Sequence, residues 1–180
     1  MRIQKPSSWK LAKGQSVAVD GVCSTVASLG KNFFEVEYIP ETLSKTTAGT
    51  FSRGASVNLE RSMTPQSLLD GHIVLGHVDA RAAVADVRKG KDIQLHIAIP
   101  KSLVSYVVPQ GSLAVNGVSL TVAALRGTVC TVALVPYTLR HTNLGALKRG
   151  DTVNIEVDIL ARYLGSALRA MLTTNAKKKR

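Results

Sequence analysis

The chain has 180 residues, 45% of them apolar, enough for compact cores and against disorder over most of its length. Four of the charges in its net +11 form the run at 177–180, read as a solvated tail, and an aromatic content of 4% leaves few platforms for stacking bases, which argues against a nucleic-acid-binding barrel. Neither a signal-peptide pattern nor an apolar run of about 18 residues is present, so no membrane segment is expected and the expected location is cytoplasmic.

Met1-Arg-Ile-Gln-Lys-Pro6 is the first recognisable element, lining up with Leu95-His-Ile-Ala-Ile-Pro100 further on, and Trp9 after it is expected to pack against the sheet. Short β-branched segments follow at 16–19, 22–28, 33–39 and 56–60, with Asp20-Gly21 as a turn able to take positive φ. From Asp20 to Ser62 the chain then repeats at 116–158 without a gap, and about 17 of roughly 43 positions are identical. Each copy runs from an Asx-Gly-Val turn through Pro-x-Thr-Leu to Val-Asn-x-Glu. A duplicated module implies two homologous binding halves.

Between the copies lies Gly71-His-Ile-Val-Leu-Gly-His-Val78, followed by segments at 81–87, 93–99 and 101–108. The second copy has strands expected at 113–115, 118–124, 128–135 and 152–157. About six strands of this length usually close into a barrel or sandwich. The expected fold is therefore all-β: two tandem six-stranded barrels, the first short of its two opening strands, with a truncated start as the first explanation and a binding-only form or completion by another chain as the others. We divide the chain at 1–70, 71–158 and 159–180. The last part is a helix with Ile159, Leu160, Tyr163, Leu164, Leu168, Met171 and Leu172 on one face, either a lid on its own barrel or an oligomer helix.

Polar residues recur at matching places. Cys23 and Thr25 correspond to Ser119 and Thr121, alternating along their strands, so each pair shares a face that could hold a polar heterocycle, although small hydroxyls in strands are more often structural. His72 and His77 could be general bases or metal ligands, metal being the weaker choice because only Asp79 stands near them as a further ligand. Gly71 and Gly76 suggest close approach of a ligand or backbone. Cys23 and Cys130 fall at non-equivalent positions and are expected to be free thiols.

Together these segments resemble the riboflavin synthase family of the internally duplicated type. The resemblance rests on Asn116-Gly-Val-Ser-Leu-Thr-Val122, Gly71-His-x-x-x-Gly-His-Val-Asp79, Pro40-Glu-Thr-Leu43, Pro136-x-Thr-Leu139, Thr142-Asn-Leu-Gly145 and Val153-Asn-Ile-Glu-Val-Asp-x-Leu-Ala-Arg-Tyr163. It implies Greek-key barrels and a homotrimer joined by the final helix. It also implies transfer of a four-carbon unit between two molecules of 6,7-dimethyl-8-ribityllumazine, with no metal or organic cofactor. A non-catalytic lumazine- or flavin-binding protein is the alternative within the same family.

The resemblance further implies the site residues. Ser119, Leu120 and Thr121, faced by Gly76, His77 and Val78, belong to the C-terminal pocket, with Asp158 beside it. Leu134, Val135, Pro136, Tyr137, Thr138 and Leu139 form its wall. Ser16, Cys23, Ser24, Thr25, Glu37, Tyr38, Ile39, Pro40, Glu41 and Thr42 are their counterparts in the N-terminal pocket. Ser105 stands where the family often has lysine. Proton transfer and polarisation fall to His77 and Ser119, supported by His72, Cys23 and Thr121. Compared with the family, the chain lacks the opening Met-Phe-Thr-Gly-Ile-Val segment and has Ser24 in place of leucine, Asp20 in place of asparagine and Tyr137 in place of Glu or His.

Overall fold

Two tight turns facing each other organise the molecule. In the computed structural model, which describes residues 1–90 and 92–178 with side chains through 172, Asp20 and Gly21 have φ of 46° and 75°, and Asn116 and Gly117 have 47° and 79°. Positive φ at both central residues is the hairpin turn whose twist suits antiparallel strands. The two turns meet back to back: a Cβ on Gly21 would fall 2.6 Å from the Gly117 amide nitrogen. Only glycine permits that approach, and it places an approximate twofold axis between the repeats.

The second repeat is a closed six-stranded barrel. Its strands are β6 (Ala80–Lys89), β7 (Ile93–Ala98), β8 (Ser112–Val115), β9 (Val118–Arg126), β10 (Val129–Leu134) and β11 (Thr152–Val157), and their order around the wall is β10-β7-β6-β11-β8-β9. Alternation along the strands sends Leu95, Ile97, Leu113, Val122, Val132 and Ile155 into a dry interior. Closure leaves no free edge.

In the first repeat, β1 (Arg2–Gln4), β2 (Ser16–Val19), β3 (Val22–Leu29), β4 (Phe33–Val36) and β5 (Leu59–Arg61) form a five-stranded sheet in the order β1-β4-β3-β2-β5. Ile3 pairs with Phe34 just as Ile97 pairs with Cys130, so β1 occupies the place of β7. One strand, the counterpart of β6, is therefore unmatched rather than the two expected. Residues 1–6, which line up in sequence with 95–100, supply the other through a three-residue pairing with β4. The core here is Ile3, Val17, Val19, Val26, Phe34 and Val36, covered in part by Trp9, as expected, and by Tyr38 and Phe51.

Both copies carry the same β-bulge, where the register slips between Val26 and Ser28 and again where Val132 pairs with Val122 but Thr131 with Ala124. The Pro-x-Thr-Leu motifs are short helices, α1 (Pro40–Lys45) and α2 (Pro136–His141), with proline in the first turn, where its missing N–H costs nothing. Thr46 and Thr142 then each accept a backbone N–H, from Ala48 and Leu144, and start a 3-10 turn. The long helix α3 (Ile159–Lys178) leaves β11 and packs through Gly165 on Tyr106. The side chains of the basic run at 177–180 lie outside the described residues.

Candidate functional site

Strand alternation settles which candidates share a face. In β3, Val22, Ser24 and Val26 are buried while Cys23 and Thr25 are exposed; in β9, Leu120 and Val122 are buried while Thr121 is exposed and Ser119 half-buried. Each polar pair thus shares a face, as its spacing predicted, and that face is the outer wall of its repeat. Ser24 and the two leucines at 120 and 134 do not join them. The Ser24 hydroxyl points inward, donating to the Val22 carbonyl and sharing a 2.7 Å hydrogen bond with the Tyr38 hydroxyl. Ser24 and Tyr38 occupy the places that Leu120 and Leu134 fill in the second core, a small-plus-large pair where the other copy has two leucines.

The segment at 71–78 also sits differently from expectation. The Gly76 carbonyl accepts the Cys23 N–H at 2.8 Å, and a Cβ on Gly76 would fall 2.9 Å from the Cys23 nitrogen. Gly76 therefore lies against Cys23 of the N-terminal repeat, and not against Ser119. Glu156 on β11 holds this arrangement. Its carboxylate accepts the Leu75 N–H at 2.7 Å and the Gly76 N–H at 3.0 Å, while burial raises its pKa against those two hydrogen bonds. A small cavity beside Gly76 is lined by Ser16, Ala18, Cys23, Glu60 and Leu75.

The histidine that does reach Ser119 is His72. Its Nδ1 lies 2.7 Å from the Ser119 hydroxyl, and burial lowers its pKa despite the opposing field of Asp158, so the ring is neutral at pH 7. Its Nε2 is buried without a hydrogen-bond partner. Asp158 itself accepts the Leu160 N–H in the first turn of α3. Close by, Asp79 accepts the Val157 N–H and forms an ion pair with Arg162. Among the described residues, no group of three or more His, Cys, Asp or Glu side chains is placed to hold a metal ion.

The remaining candidates are spread along the rims. Glu37, Ile39, Pro40, Glu41, Val135, Pro136 and Tyr137 are exposed at the starts of α1 and α2, whereas Thr42, Thr138 and Leu139 are half-buried. Glu41 pairs with Lys45, and Tyr137 stacks on His141 at 4.0 Å. Ser105 is exposed in the turn carrying Tyr106 under α3. A larger cavity of about 750 Å³ lies between the repeats, bounded by Ala18, Glu60, Arg61, His72, Ser119 and His141. The sequence reading missed Glu156, Glu60 and His141. The repeated Val-Asn-x-Glu marked both glutamates without disclosing that one binds backbone.

The inter-repeat seam is polar and symmetric. Asn58 and Asn154 donate their backbone N–H to Asp20 and Asn116 side chains at 2.7 and 2.8 Å, and their amide NH2 groups reach across to the Asn116 and Asp20 carbonyls. Asn143 and Thr47 donate backbone N–H to Asn58 and Asn154 in turn. The backbone N–H groups of Asn58 and Asn154 are satisfied within their own repeats, while their side-chain amides and the Asn143 and Thr47 N–H groups bridge the two, which fixes the two outer walls relative to one another.

A family model described as the lumazine binding domain matches residues 1–62 and 75–158. The chain is 43% identical over 152 residues to riboflavin synthase of Photobacterium phosphoreum, spanning 84% of this chain and 70% of that protein. It is 37% identical over 152 residues to riboflavin synthase of Bacillus subtilis (strain 168), spanning 84% and 71%. Among solved structures, LumP complexed with riboflavin superposes with a TM-score of 0.74 at 28% identity, covering 82% of this chain and 80% of that one. LumP complexed with 6,7-dimethyl-8-(1'-D-ribityl) lumazine has a TM-score of 0.73 at 24% identity, a likeness of fold, over 82% and 79%.

Proposed function

We propose that this chain, which belongs to the lumazine-binding domain family, is a riboflavin synthase. It converts two molecules of 6,7-dimethyl-8-ribityllumazine into riboflavin and 5-amino-6-(D-ribitylamino)uracil. The observation that carries the reading is the pair of outer walls, Cys23 with Thr25 and Ser119 with Thr121, related by the twofold seam at Gly21 and Gly117. Two like walls suit two like ligands.

The two products together contain every atom of the two substrates, so the reaction consumes no oxidant and no water. The lumazine's C7 methyl is acidic because its carbanion spreads into the ring, and the protein's main task is to hold two such rings face to face. In this reading the thiol and hydroxyls of the walls hydrogen-bond the rings, and neutral His72 with Ser119 and exposed His77 near Cys23 are the groups able to exchange protons. No metal or organic cofactor enters.

A wall on one repeat meets the other repeat of a neighbouring copy in this reading, which requires an oligomer. The trimer is proposed to form through α3, whose Leu160, Tyr163, Leu164, Leu168, Met171 and Leu172 are all more than half exposed. Among the described residues no helix is long and apolar enough to cross a membrane, and we place the protein in the cytoplasm. The proposed division is an N-terminal lumazine-binding unit at 1–70, a C-terminal one at 71–158 and the helix with its tail at 159–180.

One observation favours a second reading, a lumazine or flavin carrier without turnover: the N-terminal sheet is open where the C-terminal barrel is closed. Incubating the purified chain with 6,7-dimethyl-8-ribityllumazine separates the two. Synthesis predicts riboflavin and the ribitylaminouracil in equal amounts. Bound lumazine that keeps its own fluorescence and absorption indefinitely leaves only the carrier.

A further inference from the structure

We propose that Glu156, a residue of the C-terminal barrel, is a positioning residue for the N-terminal wall, acting through the backbone of Leu75 and Gly76 to set the surface that Cys23 presents to a ligand. The role rests on the lumazine reading and adds to it one carboxylate, remote in sequence from Cys23, that governs one of the two walls.

Glu156 lies on β11 between Ile155 and Val157, which both belong to the C-terminal core. Strand alternation therefore turns it out of that barrel and toward the other repeat. It is only 5% exposed there. A carboxylate taken so far out of water is costly unless its oxygens are hydrogen-bonded. Here each oxygen takes one backbone N–H, Oε1 that of Leu75 at 2.7 Å and Oε2 that of Gly76 at 3.0 Å. Consecutive N–H groups point to opposite sides of an extended strand, so their meeting on one carboxylate holds the segment in a turned conformation.

The positive φ of Gly76, 77°, sets the direction in which its carbonyl leaves that turn. The carbonyl accepts the Cys23 N–H at 2.8 Å. β4 is in register with β3 only from Val26 onward, so Gly76 supplies the neighbour that β4 does not give to Cys23. There is no slack in the contact, since a Cβ on Gly76 would fall 3.0 Å from the Cys23 Cβ. Glu156 is thus joined to Cys23 through the 75–76 backbone, and Leu75 and Gly76 line the small cavity on that wall together with Ser16 and Cys23.

The Ser119 wall is held by other groups: His72 bonds the Ser119 hydroxyl, and Gly71 lies against the same side chain. Loss of the Glu156 carboxylate should therefore act on the Cys23 wall. Glutamine keeps the shape but not the pair of acceptors. Its single oxygen takes one N–H, and its NH2 then sets a donor against the other.

Cys23 reports on its own wall, because its thiol is exposed whereas that of Cys130 is buried. Iodoacetamide labels Cys23 first, and bound 6,7-dimethyl-8-ribityllumazine should protect it, as read by mass spectrometry of the whole protein. Glu156→Gln should raise the lumazine concentration for half protection at least about tenfold, the scale of one lost charge-assisted hydrogen bond. It should also speed amide exchange at Leu75, Gly76 and Cys23 ahead of the rest of the chain. Gly76→Ala disturbs the same contact from the side of Cys23 and leaves Glu156 intact, so it should weaken protection likewise and decides the matter if the Gln variant does not fold. A wild-type Cys23 that no concentration of lumazine protects would sink the lumazine reading of this wall, and the role of Glu156 with it. Protection in the wild type with an unchanged half-protecting concentration in the folded variants would overturn the role of Glu156 alone, as would an exchange increase spread evenly over the chain.

Discussion

Asp20 is the one acidic member of an otherwise neutral seam. Burial lifts its pKa from 3.8 to about 6, against the hydrogen bonds it accepts from Asn58 and Asn143. A raised carboxyl pKa means that the folded state holds the proton more tightly. Stability from this residue is full below pH 3.8 and lost as the pH climbs through 6. Asn116 does the equivalent work uncharged. Asp20→Asn should therefore stabilise the protein at pH 7 by about 3 kcal/mol, at 1.36 kcal/mol per pKa unit, and by little at pH 4. Thermal melts across that range would show the gap widening with pH; a constant or inverted gap would rule it out. His77→Ala should lower riboflavin formation about 10²-fold, the scale of a lost acid-base group, whereas a near-normal rate would make His77 structural. At this scale the sequence disclosed much. Alternation placed Cys23 with Thr25 and Ser119 with Thr121 on a shared face, which the structure shows to be the outer one, because period-two patterning survives in any strand. It could not place Gly76 beside Cys23, because that contact depends on a segment crossing between repeats that share no local pattern there. Ser24 is illegible for a related reason: a polar residue at an inward position has a place only once Tyr38 supplies its partner.

Elements were legible in proportion to their length and pairing. The hairpins around Asp20-Gly21 and Asn116-Gly117 carried a turn signal and came out as expected, and so did α3. Residues 33–39 gave a shorter strand, because Pro40 at the start of α1 draws the chain away from the sheet after Val36. β1, with three residues, is too short to show a period of its own and is legible only through its alignment with residues 95–100. The exposed stripe of α3 speaks against a lid, and the oligomer helix stays the proposed role. A lid would bury Leu164 and Leu168 on its own barrel, yet both are more than half exposed. Replacing both by lysine should convert an oligomer into monomer in light scattering, with the barrels' circular dichroism retained. An unchanged mass would assign the assembly to another surface.

For the whole molecule, duplication acts at two levels. It supplies two outer walls, and through the Asn58–Asn154 seam it fixes how they are presented. The same symmetry also exposes an asymmetry, a closed barrel beside an open sheet, that bears on whether both walls work. The central claim is that the ligand lies outside the barrels, on the walls of Cys23 and Ser119, and not within a barrel core. A crystal structure of the chain with riboflavin tests it directly. The account predicts the flavin ring against Cys23 and Thr25 near Gly76, or against Ser119 and Thr121. Flavin density elsewhere, with both walls bare, would contradict it.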